Sequence, residues 1–223
     1  MSNLSILGEA MSNYAFSLFV NVKASKRSID VSIERLIELV KCPTGQVFNS
    51  HWLDLKSNTE QARAALQNND AKKYSDIKMK MPAITPHAYY PCERKDESFH
   101  TISGIIMLDF DHLENPEEIL DKAKQLSCVI MTCKSLSGKG IHLLIKYTPI
   151  EEQYFTPCYQ AIMEYVRICL GENADKACKN ISRMMILNHD PDVYYNPNAI
   201  PLDMSGMIWL DNNSITYNII TDM

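Results

Sequence analysis

Apolar positions change their period several times along the chain, and each change marks a predicted element. Residues 15–22, AFSLFVNV, make a short apolar run that predicts a strand. Over 32–41, Ile33, Leu36, Ile37 and Val40 recur at helical spacing. After a polar stretch, helices are predicted over about 59–68 and 71–81. The second carries Tyr74, Ile77 and Met81 on one face and stops before Pro82. From 104 onward the order is cleaner. A strand at 104–109, in GIIMLDFDH, is followed by Asn115-Pro116-Glu117-Glu118, which joins an N-cap, a first-turn proline and first-turn acids. That helix runs to about 126. Strands follow at 128–133 and 141–147, joined by the turn SLSGKG. Thr148-Pro149-Ile150-Glu151 predicts a second capped helix start, closed by a capping box, and the helix runs to about 170. It turns Phe155, Cys158, Ile162, Val166 and Cys169 inward. A last strand, MMILNH, is predicted at 184–189.

The order β-α-β-β-α-β predicts an α+β, ferredoxin-like core. Residues 101–200 form that core within one domain spanning 1–223, with 1–100 a mostly helical N-terminal extension and 201–223 a C-terminal one. In that arrangement the first and third strands are antiparallel neighbours, which sets Asp109 and Asp111 beside His142. The fourth strand is expected on the other side of the first.

The candidate chemistry gathers at these strand ends. Asp109 and Asp111 are two residues apart, so an extended chain turns both to one side, with Cα atoms ~6.5 Å apart. Two like charges at that range repel by roughly 2.5 kcal/mol at an effective dielectric of 20. A hard divalent cation, Mg²⁺ or Mn²⁺, removes that repulsion and keeps coordination positions for substrate phosphates. The alternative is a solvated pair capping the next helix, with His112 a surface residue. In Ser137-Gly138-Lys139-Gly140 the glycines free the backbone to face an anion and Lys139 adds charge, although the same pattern serves as a plain hairpin turn. His142 reads equally as a satisfied core histidine. Asp175 can complete a carboxylate set and Arg183 can pair with phosphate, or the two can form an ordinary surface pair. Asp190 and Asp192 flank Pro191 and suit a turn.

Composition narrows the setting. The chain is 46% hydrophobic and 22% charged, an ordinary globular balance with no membrane-length apolar run. The formal net charge of −5 argues against broad wrapping of duplex DNA, so any nucleic-acid contact is local or supplied by a partner. Seven cysteines, with no Cys-x-x-Cys, predict reduced core thiols rather than a disulfide framework or a zinc site. No signal peptide is read at the start, and a cytoplasmic location is expected.

Taken together, LDFD, SGKGIH and a later acid resemble the motifs of the archaeo-eukaryotic primase and primase-polymerase superfamily, whose palm has an RRM-like core. More narrowly, FSLFVNV, KMKMPAITPHAYY, GIIMLDFDHL, SLSGKGIHLLIKY and NISRMMILNHDPDVYYNPNA resemble the VirE N-terminal domain family of bacterial mobile-element proteins. The resemblance implies a nucleotidyltransferase module taking NTP or dNTP, with single-stranded or primed DNA as partner. It also implies a helicase-like or other replication domain in cis or in trans. By motif, Asp109, Asp111 and Asp175 would hold metal, His142 would contact nucleotide phosphates with Ser137 and Lys139 nearby, and Arg183 would offset triphosphate charge. A non-synthesising nucleotide or single-strand binding module and a metal-dependent phosphodiester hydrolase are the alternatives.

Overall fold

A computed structural model describes residues 15–27, 29–41 and 54–204. In chain order its N-terminal part holds β1 (Ala15–Phe19), β2 (Ile29–Ser32), α1 (Ile33–Lys41), α2 (Leu55–Gln67), α3 (Ala71–Lys78), β3 (Ala83–Thr85) and β4 (Ala88–Tyr89). Next come β5 (Thr101–Ile102), β6 (Ile105–Phe110), α4 (Pro116–Ala123), β7 (Val129–Lys134) and β8 (Ile141–Lys146). The chain continues through α5 (Phe155–Leu170), β9 (Met185–Ile186) and β10 (Tyr194–Tyr195). The fold is mixed α+β, and all its strand pairs are antiparallel.

One four-stranded sheet has the order β10-β7-β8-β6. Its strands β7, β8 and β6 reproduce the expected split βαβ, with β8 inserted between β6 and β7 and α4 forming the crossover. Both faces of these strands are covered, so β6 and β8 carry unbroken buried runs rather than alternation. The start of α4 is as read: Asn115 accepts from the Glu118 N–H, Pro116 fills the first turn and Glu117 and Glu118 face the helix dipole. Helices α4 and α5 pack against each other, with α4 against β7 and β8.

The fourth strand departs from expectation. Only Met185–Ile186 is extended, and it pairs with β3, not β6. It closes a second sheet of order β2-β1-β3-β9. The opposite edge of the sheet that holds β6 is taken by β10 instead. An apolar run such as MMILNH states that a strand exists but not which edge it joins. The described part of the first hundred residues holds more helix than strand, but it also builds three strands of this second sheet, and the C-terminal half supplies the fourth.

Helix α5 also starts later than read. Residues 148–151 are irregular, a 3-10 turn spans Glu152–Tyr154, and the helix begins at Phe155 without a side-chain cap. The Thr148 N–H bonds to the Leu202 carbonyl instead, so the capping box does not form. Cys169, expected inward, is exposed, as is Cys92, while Cys128, Cys133, Cys158 and Cys178 are buried thiols. Cys42 and residues 205–223 lie outside the described residues. Among the described residues no helix is long and apolar enough to cross a membrane.

Candidate active site

The end of β6 carries the two acids. Asp109 is its penultimate residue and Asp111 lies just beyond, and both line one cleft of 420 Å³. The antiparallel register puts Asp109 directly opposite His142, and the His142 Nε2 stands 3.6 Å from the Asp109 Oδ1. The adjacency expected from element order is thus present. His112, exposed and at φ 56°, turns the chain sharply after Asp111.

Asp175 reaches the same place by an unexpected route. Among the described residues no strand covers the free edge of β6. There the Asp175 N–H donates to the Asp109 carbonyl at 2.7 Å, so the 3-10 turn Lys176–Lys179 docks where the fourth strand of the expected fold would lie. The Asp175 Oδ1 accepts from the Ala177 N–H and caps that turn. Arg183 follows, its Nη2 3.9 Å from a carboxylate oxygen of Asp109 and 3.9 Å from one of Asp175. Of the groups expected around one point, Asp109, Asp111 and His142 line the cleft together with Arg183, whereas Asp175, expected as the third metal ligand, does not line it and stands beside Arg183.

A residue without any sequence signal of function holds this join. His87 is fully buried. Its Nε2 accepts from the Met107 N–H at 3.1 Å, on the free edge of β6. Its Nδ1, which must then carry the proton, donates to the Asn180 carbonyl at 2.9 Å. One imidazole therefore ties the strand two residues before Asp109 to the segment three residues before Arg183. Burial pushes its pKa down to about 4, against the two backbone bonds, and the Arg183 charge adds to the lowering. The only hint in the sequence was a single polar ring in the otherwise apolar MPAITPHA.

The turn between β7 and β8 is a hairpin that satisfies itself. The Gly138 N–H bonds to the Ser135 carbonyl and the Lys139 N–H to the Ser137 Oγ, so neither is free to cradle an anion. Gly138 holds φ 73°. At Gly140 a Cβ would stand 2.2 Å from the Phe110 carbonyl oxygen, so any side chain there drives the turn away from the strand that bears the acids. Arg63 of α2 donates to the Ser135 and Leu136 carbonyls and fixes the turn from behind. Ser137 lines the cleft, whereas Lys139 does not. Lys78 and Arg94, which the sequence did not single out, do. Asp190 is a structural acid: its carboxylate accepts from the Lys134 and Asp192 N–H groups.

Burial dominates the electrostatics of Asp109. Its side chain is 15% exposed, and its carboxyl pKa is raised above the usual 3.8 first by burial. His142 and Arg183 pull it down, while Asp111 and Asp175 push it up. Its Oδ1 and the His142 Nδ1 are buried and accept or donate no hydrogen bond. A buried, under-bonded oxygen beside a second carboxylate is suited to a hard divalent cation held by two carboxylates and substrate phosphates. A cage of three is not assembled: among the described residues no group of three or more His, Cys, Asp or Glu is placed to hold one ion.

The family described as BT4734-like, N-terminal domain, matches residues 76–195, more than half of the chain. The likeness to VirE N-terminal domains narrows to this VirE N-terminal-like family. No curated protein matches. Among solved structures, the AEP domain of the cyanophage S-2L primase-polymerase is similar at 14% identity and a TM-score of 0.37, over 60% of this chain and 72% of that one.

Proposed function

The chain belongs to the BT4734-like N-terminal domain family, and from that premise we propose that it is a primase/polymerase-like nucleotidyltransferase module of a mobile-element or replication protein. The observation that carries this reading is the buried Asp109 carboxylate, its Oδ1 near His142 but without a hydrogen bond and its Oδ2 near Arg183, sharing one nucleotide-sized cleft with Asp111. Asp109 and Asp111 would hold Mg²⁺ or Mn²⁺, which when bound neutralises phosphate charge and favours ionisation of an attacking hydroxyl. The 3′-oxygen of a strand end then bonds to the α-phosphorus of an NTP or dNTP, the bridge to the β-phosphate breaks, and pyrophosphate departs. Arg183, already poised between two acids, turns its guanidinium to the phosphates as negative charge arrives. His142 stands at the rim to donate to a phosphate oxygen, and Asp175 keeps Arg183 in reach.

One observation favours a second reading. Arg183 stands near enough to Asp109 and Asp175 to serve as their permanent counter-ion. The domain would then bind a nucleotide or a single strand without joining anything. Labelled NTPs and dNTPs with Mg²⁺ or Mn²⁺, on primed and unprimed single-stranded DNA, separate the two. Template-dependent extension is the expected result. Nucleotide binding without extension under either metal would favour the binding module, and shortening of the template a phosphodiesterase.

A further inference from the structure

Part of the cleft lining comes from the N-terminal half. Helix α3 contributes Tyr74 and Lys78, one turn apart on one face, and the loop after β4 contributes Arg94. The helix buries none of its residues completely, although Tyr74 packs partly against the main core while it also lines the cleft. Burial, and then the charges of Asp111 and Asp109, raise the pKa of the Tyr74 hydroxyl.

The cations around the cleft differ in how far they are committed. Arg183 lies 3.9 Å from two carboxylates. Arg63 is spent on the carbonyls of the β7–β8 turn. Lys139 does not line the cleft. By contrast, neither Lys78 nor Arg94 enters an ion pair among the described residues. Arg94 is nevertheless held in place. Its guanidinium carbon sits 6.0 Å from the centroid of the Phe19 ring, and its Nη1 donates to the Ser182 carbonyl at 3.4 Å. A fixed guanidinium and an ammonium, neither in an ion pair among the described residues and both lining the cleft that bears the carboxylates, make an anion subsite within it.

We propose that Lys78 and Arg94 bind the outer phosphates of a nucleoside triphosphate, so that the N-terminal half supplies the phosphate wall of the cleft. This rests on reading the cleft as a nucleotide site, but not on any catalysis there. Triphosphate is preferred over strand backbone because the positive charge lies inside a confined cleft of 420 Å³, while the chain as a whole carries −5.

The test is calorimetric titration of ATP, adenosine and a single-stranded oligonucleotide, with Mn²⁺, into the wild type and the double variant Lys78→Gln with Arg94→Gln. Lys78→Gln alone breaks no ion pair among the described residues and should keep the wild-type melting temperature, so it is titrated beside the double variant, whose Arg94 change gives up the Phe19 and Ser182 contacts. Arg94→Lys should retain part of the affinity. Affinity for ATP should fall roughly tenfold or more, while affinity for adenosine and oligonucleotide stays. An unchanged ATP affinity, an equal loss for adenosine, or a loss confined to the oligonucleotide would overturn the assignment. Failure of the catalytic reading looks different: the wild type then extends no primer, yet its ATP binding still depends on these two residues. A wild type that extends primers with a nucleotide KM the double variant shares would instead sink the phosphate wall alone. No ATP binding by the wild type removes both.

Discussion

Asp109→Asn should melt at a higher temperature than the wild type and incorporate no nucleotide. The two halves of that result have one cause. Burial raises the Asp109 pKa, so the ionised side chain costs the fold stability at neutral pH. The sign follows from linkage. A carboxyl with a raised folded pKa contributes stability that is present below the ordinary value of 3.8 and is lost as pH rises through the raised value. An amide of the same shape removes that cost and also the repulsion from Asp111 and Asp175, at the expense of the attractions to His142 and Arg183. Because burial is the largest influence, the balance favours the amide. The same substitution removes the oxygen donor that the proposed chemistry needs, and a loss of at least ~10²–10³-fold in incorporation is expected, the range for one preorganised charge contact to the reacting group. Thermal melts and extension assays on the same preparation check both halves. A lower melting temperature would make Asp109 a structural acid, and retained incorporation would remove it from the site.

The second large effect is at His87. His87→Phe keeps a ring among Phe155 and Tyr159, whose centroids lie 5.3 and 5.7 Å away, but leaves the Met107 N–H and the Asn180 carbonyl without partners. Each such buried group costs about 1–3 kcal/mol. The segment bearing Asp175 and Arg183 then keeps only its Asp175–Asp109 backbone bond to β6, so kcat should fall more than the nucleotide KM changes. His87 also predicts an acid sensitivity opposite in sign to that of Asp109. Its pKa is depressed from 6.5 to about 4, so its contribution is complete above pH 6.5 and is lost as pH falls through about 4. That amounts to ~3 kcal/mol from the shift. Urea titrations of both proteins across this window isolate the part due to His87. Equal slopes would show that the ring is not a neutral strut.

These cases also show what the chain reveals on reading. The Asp109–His142 contact was legible because it follows from strand order and antiparallel register alone, and both come from local apolar runs. Asp175 was legible as a candidate, but its path was not: a backbone bond to a strand edge has no side-chain pattern. The MMILNH strand was placed on the wrong edge because its period fixes a face and not a partner. His87 was passed over because a buried histidine is defined by its two carbonyl and amide partners, which lie 20 and 93 residues away. Lys78 and Arg94 were not singled out, since nothing in a polar helix face or a loop states that it will line a cleft bearing carboxylates.

The central claim is that Asp109 and Asp111 meet to hold one hard cation at the end of β6. The most direct measurement is Mn²⁺ binding followed by electron paramagnetic resonance in the wild type, Asp109→Asn and Asp111→Asn. The account predicts a wild-type site that both variants weaken by roughly tenfold or more while remaining folded. Mn²⁺ uptake equal in all three proteins, or absent from the wild type at millimolar ion, would contradict it.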